Sequence, residues 1–502
     1  MSMTAVKGER ELLRRDPRPE VTMGSLIAAP KLPRAMIKET KKVIAMARQF
    51  NREVVEPRAL ELDLQKMEDP DYLPWDLVEE ANRRGFFTLF EPKIFGGQGI
   101  NLPAMSYFCE ELASVCLGIA NVVAVHYLGV STLVATWNIR LMNRLMRDAA
   151  EGERTGKPTI MAMAITEPAV GTDVCDMELL KKSNAAFRCE RVDGGYILNG
   201  MKHFISNGHF ATWFIVFGYA DLKSPADSVV LLAVRSGTKG FSLGRQERKM
   251  GQKACPASEL LFEDCFVPDE FVCFGPEQAR KLKRPAIESN QQLFDYLSSA
   301  SRAGVGAFGT GVARGAYEEA VRFARDTVVA GKPLIDHEWA QMILSDMYTN
   351  VVMARLTYIE SNYANGRYGM FKLLQAKPIY YATKYTPKAI LDIMMPPILD
   401  MPLSTWIFRK INFDLWKPEQ QDITAGLSCI AKVYATDLGI KNCQLAMELV
   451  GQAGLRHDGK IEKHLRDSKL LQIYEGPNEI NRLGTFKSFV AHLAPNVTMF
   501  EE

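Results

Sequence analysis

Apolar residues recur at helical spacing from about Pro33 to Ala150, as in Leu77 and Ala81, then Met105, Phe108 and Leu112. That period predicts helices with one buried face, punctuated at Gly85, Pro92 and the run Gly96, Gly97, Gly99. From about Thr159 to Val272 the texture changes to short β-branched and aromatic runs, Tyr196–Leu198, Trp213–Tyr219, Val229–Val234 and Leu260–Phe262. Turn signals at Asp193-Gly194-Gly195, Asn199-Gly200, Asn207-Gly208 and Ser236-Gly237 separate them, which predicts a small β-sandwich or barrel. The helical period returns at about Pro285 and persists. There Gly304, Gly306, Gly309, Gly311 and Gly315 crowd one stretch, and residues that weaken an isolated helix predict close packing against neighbours. The order helix, strand, helix predicts an α+β fold in one assembly rather than a doubly wound sheet. The expected boundaries are an N-terminal extension over 1–34, a helical domain over 35–158, a central β domain over 159–275 and a helical domain over 285–490.

The length of 502 residues fits about three domains. With 47% apolar and 24% charged residues, a wholly disordered chain, a collagen and a coiled-coil rod are excluded. Sixty-one basic against 59 acidic side chains leave a net charge of +2, so no bulk field recruits nucleic acid. Nine scattered cysteines without a C-x-x-C pair predict free thiols in a reducing compartment, and no metal site. The first 34 residues mix Arg with Glu and Asp and read as neither secretory signal nor transit peptide. No run of about 20 uninterrupted apolar residues occurs, so the expectation is a soluble or peripheral protein, cytoplasmic or on the inner face of a membrane.

Four segments carry a resemblance. They are Ala164-Ile165-Thr166-Glu167-Pro168-Ala169-Val170-Gly171-Thr172-Asp173, the stretch Gly195 to Gly208, the stretch Lys249-Met250-Gly251 through Phe266-Val267-Pro268, and Arg466-Asp467 followed by Ile473-Tyr474-Glu475-Gly476-Pro477-Asn478-Glu479-Ile480. In that order, with Arg84-Gly85-Phe86 and Glu110-Glu111-Leu112-Ala113 upstream, the chain resembles the acyl-CoA dehydrogenase family of flavoenzymes. The resemblance implies a helical N-domain, a central β domain and a C-terminal four-helix bundle, with FAD as cofactor.

Read alone, Glu475 before Gly476 and Pro477 is a carboxylate ahead of a helix start, with Pro477 suited to the first helical position. The resemblance makes it the catalytic base, removing the α-proton of an acyl-CoA thioester while the β-hydride leaves for flavin N5. It further implies cofactor contacts at Ile165, Thr166, Thr172, Phe204, Ser206 and Gly451, and substrate contacts at Thr172, Arg302, Tyr474 and Gly476. Some relatives carry the base just before the arginine that Arg302 resembles; here that residue is Ser301, which cannot serve. Arg302 otherwise reads as a surface or ion-paired helix arginine, Phe204 as a strand-face core aromatic and Met163 as core.

The departures are local. Thr327, Ala330 and Glu338 stand where the resemblance expects groups that hold the neighbouring subunit's FAD pyrophosphate and adenine, and Pro477 replaces a threonine. An arginine lost there removes a bidentate phosphate clamp, for which Lys332 and Arg325 are the candidate substitutes. Between the C-domain helices the chain adds about 366–418, with eight basic residues, three acids and an apolar centre from Ile390 to Phe408 broken by Pro396 and Pro397. The candidates for it are a membrane-surface element, an oligomer or partner surface, and a lid.

The resemblance thus implies an acyl-CoA dehydrogenase, a homodimer or homotetramer, passing electrons to an electron-transfer flavoprotein or a membrane-linked acceptor. Two alternatives stay open: a related flavin oxidase acting on another substrate, and an FAD-less membrane or complex-assembly subunit.

Overall fold

In a computed structural model, residues 34–369, 372–494 and 497–500 are described. The extension expected over 1–34 lies outside them but for Arg34. The N-terminal part comprises α1 (Arg34–Phe50), α2 (Glu56–Glu68), α3 (Trp75–Arg83), α4 (Pro103–Ala113), α5 (Leu117–Ala135) and α6 (Ile139–Thr155). Helix α5 is long and apolar enough to cross a membrane, yet most of it is buried within the protein.

The middle of the chain forms an eight-stranded sheet from β1 (Met161–Ala164), β2 (Arg188–Val192), β3 (Gly195–Ser206), β4 (Trp213–Tyr219), β5 (Val229–Arg235), β6 (Phe241–Gln246), β7 (Ala257–Pro268) and β8 (Val272–Phe274). Its order is β6-β7-β3-β2-β4-β5-β8, with β1 parallel to β4. Asn199-Gly200 is not a turn, contrary to the sequence reading. It lies inside β3 at a register shift, where Gly200 has φ +131° and a Cβ would lie 3.0 Å from the Phe187 ring. The glycine therefore bends a strand instead of ending one.

The C-terminal helices are α7 (Ala286–Asp326), α8 (Glu338–Arg367), α9 (Lys377–Tyr385), α10 (Lys388–Leu399), α11 (Pro402–Arg409), α12 (Pro418–Val450), α13 (Lys460–Leu471) and α14 (Asn478–Phe489). The glycines of α7 do permit close crossings. A Cβ on Gly309 would lie 2.6 Å from the Ala435 carbonyl of α12, and one on Gly315 2.2 Å from the Ser114 carbonyl after α4. Gly304 differs, with open space where its Cβ would be. One apolar cluster joins the N-terminal helices to α7, α8 and α12, and a second joins α6, one face of the sheet and the start of α7. Both pass through α7, the 41-residue axis of the molecule.

The added segment is built into this body. Trp416 is buried and stacks on Tyr296 of α7 at 3.8 Å, the Tyr296 hydroxyl donates to the Asn412 carbonyl at 2.6 Å, and Phe413 stacks on Phe274. Phe413 and Trp416 are core, while Leu415 and Lys417 beside them face outward.

Candidate active site

Glu475 occupies the turn between α13 and α14. Both it and Gly476 have positive φ, 56° and 78°. A side-chain-bearing residue in that region costs on the order of 1 kcal/mol, so neighbours must hold it there. They do so through the backbone. Arg302 Nε donates to the Glu475 carbonyl at 3.2 Å, and Asn481 Nδ2 to the carbonyls of Glu475, Gly476 and Pro477 at 3.3, 2.7 and 3.0 Å. From α12, Lys432 Nζ donates to the Gly476 carbonyl at 2.8 Å, to Asn478 Oδ1 at 2.6 Å and to the Gln472 carbonyl at 3.3 Å. Burial, with the Arg302 charge nearby, pushes Lys432 down to about 7. Pro477 is the cap rather than the first helical residue; α14 begins at Asn478.

The carboxylate faces α7. Ser301 Oγ donates to Glu475 Oε2 at 2.6 Å, so the residue at the alternative position touches the Glu475 carboxylate. Arg302 is not at the surface, and among the described residues it has no ion pair. It is buried, its guanidinium within 3.3 Å of Cys429 Sγ and 5.8 Å from the centre of the Phe294 ring. Cys175 closes the other side, its sulfur 3.0 Å from where a Cβ on Gly476 would be, so that only glycine fits there. Burial pushes the Cys175 thiol up to about 11, leaving it a neutral packing group. Cys175 ends the 3₁₀ turn Thr172–Cys175, which brings exposed Thr172 within one turn of the Glu475–Gly476 loop.

The structure thus gathers Glu475, Gly476, Arg302 and the Thr172 turn. Tyr474, next in the chain, packs on the first apolar cluster with its hydroxyl buried beside the side-chain amides of Asn121 and Gln252.

Thr166, Phe204 and Ser206 form a second group where β3 meets the turn after β1. The Thr166 hydroxyl donates to the His203 carbonyl at 2.5 Å and the His203 amide donates to the Thr166 carbonyl at 3.1 Å. This pins Phe204 at φ 60°, stacked on His203 and 57% exposed, so it is not the core aromatic that strand position suggested. Ile165 braces the turn from within, buried, its carbonyl accepting from Lys202 Nζ at 2.8 Å. Met163 packs on the second apolar cluster, as core. Gly451 stands apart, exposed at the end of α12, 19 residues past Lys432 and so about 28 Å along the helix.

These residues suit the isoalloxazine end of FAD. Among the described residues the hydroxyls of Thr172 and Ser206 have no partner, and the exposed Phe204 ring stands beside Ser206. The far end is plainer. Arg325 pairs with Asp326, Lys332 Nζ donates to the Asp336 carbonyl at 3.0 Å, and Ala330 at φ 50° leads into exposed Glu338. The sequence missed Lys432 and Asn481, which hold the loop. A hint was present in α12, a lone lysine among Cys429, Ala431 and Ala435 on a face of small residues.

Three family descriptions match the chain in order: acyl-CoA dehydrogenase N-terminal domain over 38–153, middle domain over 162–265 and C-terminal domain over 297–366 and 412–487. The C-terminal match breaks across the added segment. A cyclohex-1-ene-1-carbonyl-CoA dehydrogenase of Geobacter metallireducens is 28% identical over 91% of this chain and 99% of its own length. One of the same name from Syntrophus aciditrophicus is 26% identical over 91% of each. Among solved structures, butyryl-CoA dehydrogenase from Megasphaera elsdenii aligns at a TM-score of 0.66, with 22% identity over 91% of this chain and 99% of that one. A glutaryl-CoA dehydrogenase from Mycobacterium smegmatis in complex with FADH2 also aligns at 0.66, with 18% identity over 93% and 96%. With all three domains matched in sequence order around a loop-borne glutamate, the chain belongs to the acyl-CoA dehydrogenase family of FAD-dependent oxidoreductases.

Proposed function

We propose that this protein removes two hydrogens across the α,β bond of an acyl-CoA thioester, with Glu475 as the base for the α-proton. The observation that supports this most directly is the elaborate support of one carboxylate. Arg302, Asn481 and Lys432 hold the Glu475–Gly476 backbone in a left-handed turn while Ser301 orients the carboxylate. A base earns rate by being fixed where the proton will be, and a turn with this many backbone anchors fixes it. FAD, when bound, supplies the hydride acceptor. Thr166, Thr172, Ser206 and Phe204 would hold its ring system, and the backbone amide of Glu475 would face the thioester oxygen, where a donor stabilises developing negative charge.

Gly304 lies one turn along α7 from Ser301, and open space meets its Cβ position. The acyl chain would run over it. Width beside the carboxylate suits a branched or cyclic acyl group as well as a straight one, the substrate class of the relatives named for a cyclohexene-carbonyl thioester. Gly451, remote within one chain, would serve the cofactor of a neighbouring subunit in a homodimer or homotetramer. The electron acceptor would be an electron-transfer flavoprotein or a membrane-linked carrier, in the cytoplasm or at its membrane boundary.

The test is the absorption spectrum of the FAD-loaded protein during anaerobic addition of straight, branched and cyclic saturated acyl-CoAs. Bleaching of oxidised flavin by one class establishes dehydrogenation and names the substrate. Stable flavin with every thioester would overturn the assignment.

A further inference from the structure

Helix α10 is apolar on two opposite faces. Leu391, Met395 and Leu399, at spacing i, i+4, i+8, turn inward, with Leu391 and Leu399 buried. Ile390, Ile393, Met394 and Ile398 recur at i, i+3, i+4, i+8 on the other face and are 46%, 77%, 59% and 45% exposed. Helix α11 repeats the arrangement. Phe408 stacks inward on Trp137 while Leu403, Trp406 and Ile407 stand exposed. Twelve of the 34 exposed large apolar side chains among the described residues fall between Ile379 and Leu415. A helix pair already packed on its inner side does not need a second apolar side to fold.

Charge selects what covers it. The 366–418 segment has eight Lys or Arg against three Asp and no Glu, an excess larger than the +2 of the entire chain, so the rest of the protein is net acidic. All three acids are engaged: Asp392 by Arg147, Asp400 by Asn143, and Asp414 by Lys410 and the Lys283 amide. The neighbouring body adds cations at the rim. Exposed Arg140 meets Thr405 through its amide, and exposed Lys281 and Lys283 lie beside Lys410 and Asp414. Of the eight cations, Lys384 pairs with Glu39 and Arg409 donates to the carbonyls of Thr136 and Cys273, while Lys377, Lys388 and Lys417 are exposed. Apolar side chains with a tryptophan, joined by these exposed lysines and those of the rim and interrupted by Pro396 and Pro397, match an element lying in the plane of a lipid interface rather than crossing it.

We propose that the outward face of α10 and α11 docks on an anionic phospholipid surface, inserting Ile393, Met394 and Trp406 below the headgroups. The assignment stands independently of the reaction proposed above.

The experiment is flotation of the full, FAD-loaded protein with vesicles of phosphatidylcholine alone or mixed with phosphatidylglycerol. The protein should float with the anionic vesicles, be released by high salt, and show a blue-shifted tryptophan emission that Trp406→Phe removes. Ile393→Asp with Trp406→Ser should weaken partition by about tenfold or more, with flavin content and native mass unchanged. Lys281→Glu with Lys283→Glu, which leaves the apolar face alone, should weaken binding to anionic vesicles. Absence of flotation at low salt, equal flotation of the variants, or a fall in native mass on Ile393→Asp, which would mean that a second copy covers the face, would each overturn the proposal. Flavin bleaching by acyl-CoA, read in the same samples, separates this result from failure of the enzyme assignment.

Discussion

Ser301 Oγ donates to Glu475 Oε2 at 2.6 Å, so a residue on the central helix α7 and one in the turn before α14 meet 174 positions apart in sequence. The two positions share one working point. Glu475→Gln should lower kcat by about 100- to 10,000-fold, the range for removing a positioned base, while thioester binding persists. Ser301→Ala, which removes only an orienting hydrogen bond, should cost about tenfold or less. Adding Ser301→Glu to Glu475→Gln should recover part of the loss, as a carboxylate on α7 reaches the same point. Stopped-flow flavin bleaching measures all three.

Lys432 should act as a positioning residue. Lys432→Met leaves the carbonyls of Gly476 and Gln472 and the Asn478 amide without a shared donor, which should cost about 2–4 kcal/mol of stability and lower kcat more than it changes KM. The pH dependence has a definite sign. The native pKa of about 7 lies below the ordinary value of 10.5, so above pH 7 the unfolded chain binds the extra proton and the folded one does not. Stability of the wild type relative to Lys432→Met should therefore rise between pH 7 and 10, as measured by urea unfolding.

His464 sets an acid limit. It is buried on α13, and burial together with neighbouring Lys463 pushes it down to about 4 from 6.5. Between those values the unfolded chain is protonated and the folded chain is not, so stability contributed by neutral His464 is present above pH 6.5 and falls away toward pH 4. Unfolding of His464→Asn should show a shallower decline over that window than the wild type. An identical decline would remove His464 from the account.

Gly304 should decide acyl width. Because open space meets its Cβ position one turn from Ser301, Gly304→Leu should preserve folding and flavin while lowering kcat/KM for bulky acyl-CoAs by about tenfold or more relative to the shortest one turned over. Gly309→Leu is the structural control: a Cβ there meets the Ala435 carbonyl at 2.6 Å, and it should fail to fold stably.

The helix, strand, helix order was legible because periodicity records burial, and the glycines of α7 announced close crossings because small residues at such density let backbones approach, although Gly304 among them meets open space. Asn199-Gly200 misled because a glycine that bends a strand has the same local signature as one that ends it. Glu475, Arg302 and Thr172 were found through motif resemblance. Lys432 and Asn481 were not, since most of their partners are backbone carbonyls, and which carbonyls a side chain reaches depends on how α12 and α14 cross. The exposure of Phe204 was illegible for a similar reason: positive φ turns its ring outward, and alternation along the strand does not register that.

Trp416 stacked on Tyr296 has a consequence for where this chain can be shortened. The C-terminal family match resumes at residue 412, so the outward apolar face of α10 and α11 ends just ahead of the aromatic floor beneath α7. An excision that stops before Asn412 takes the outer helices and leaves Phe413 and Trp416 in place. One that runs on to Pro418 empties the space against Tyr296 and Phe274, a loss of buried aromatic packing on the order of 3–5 kcal/mol.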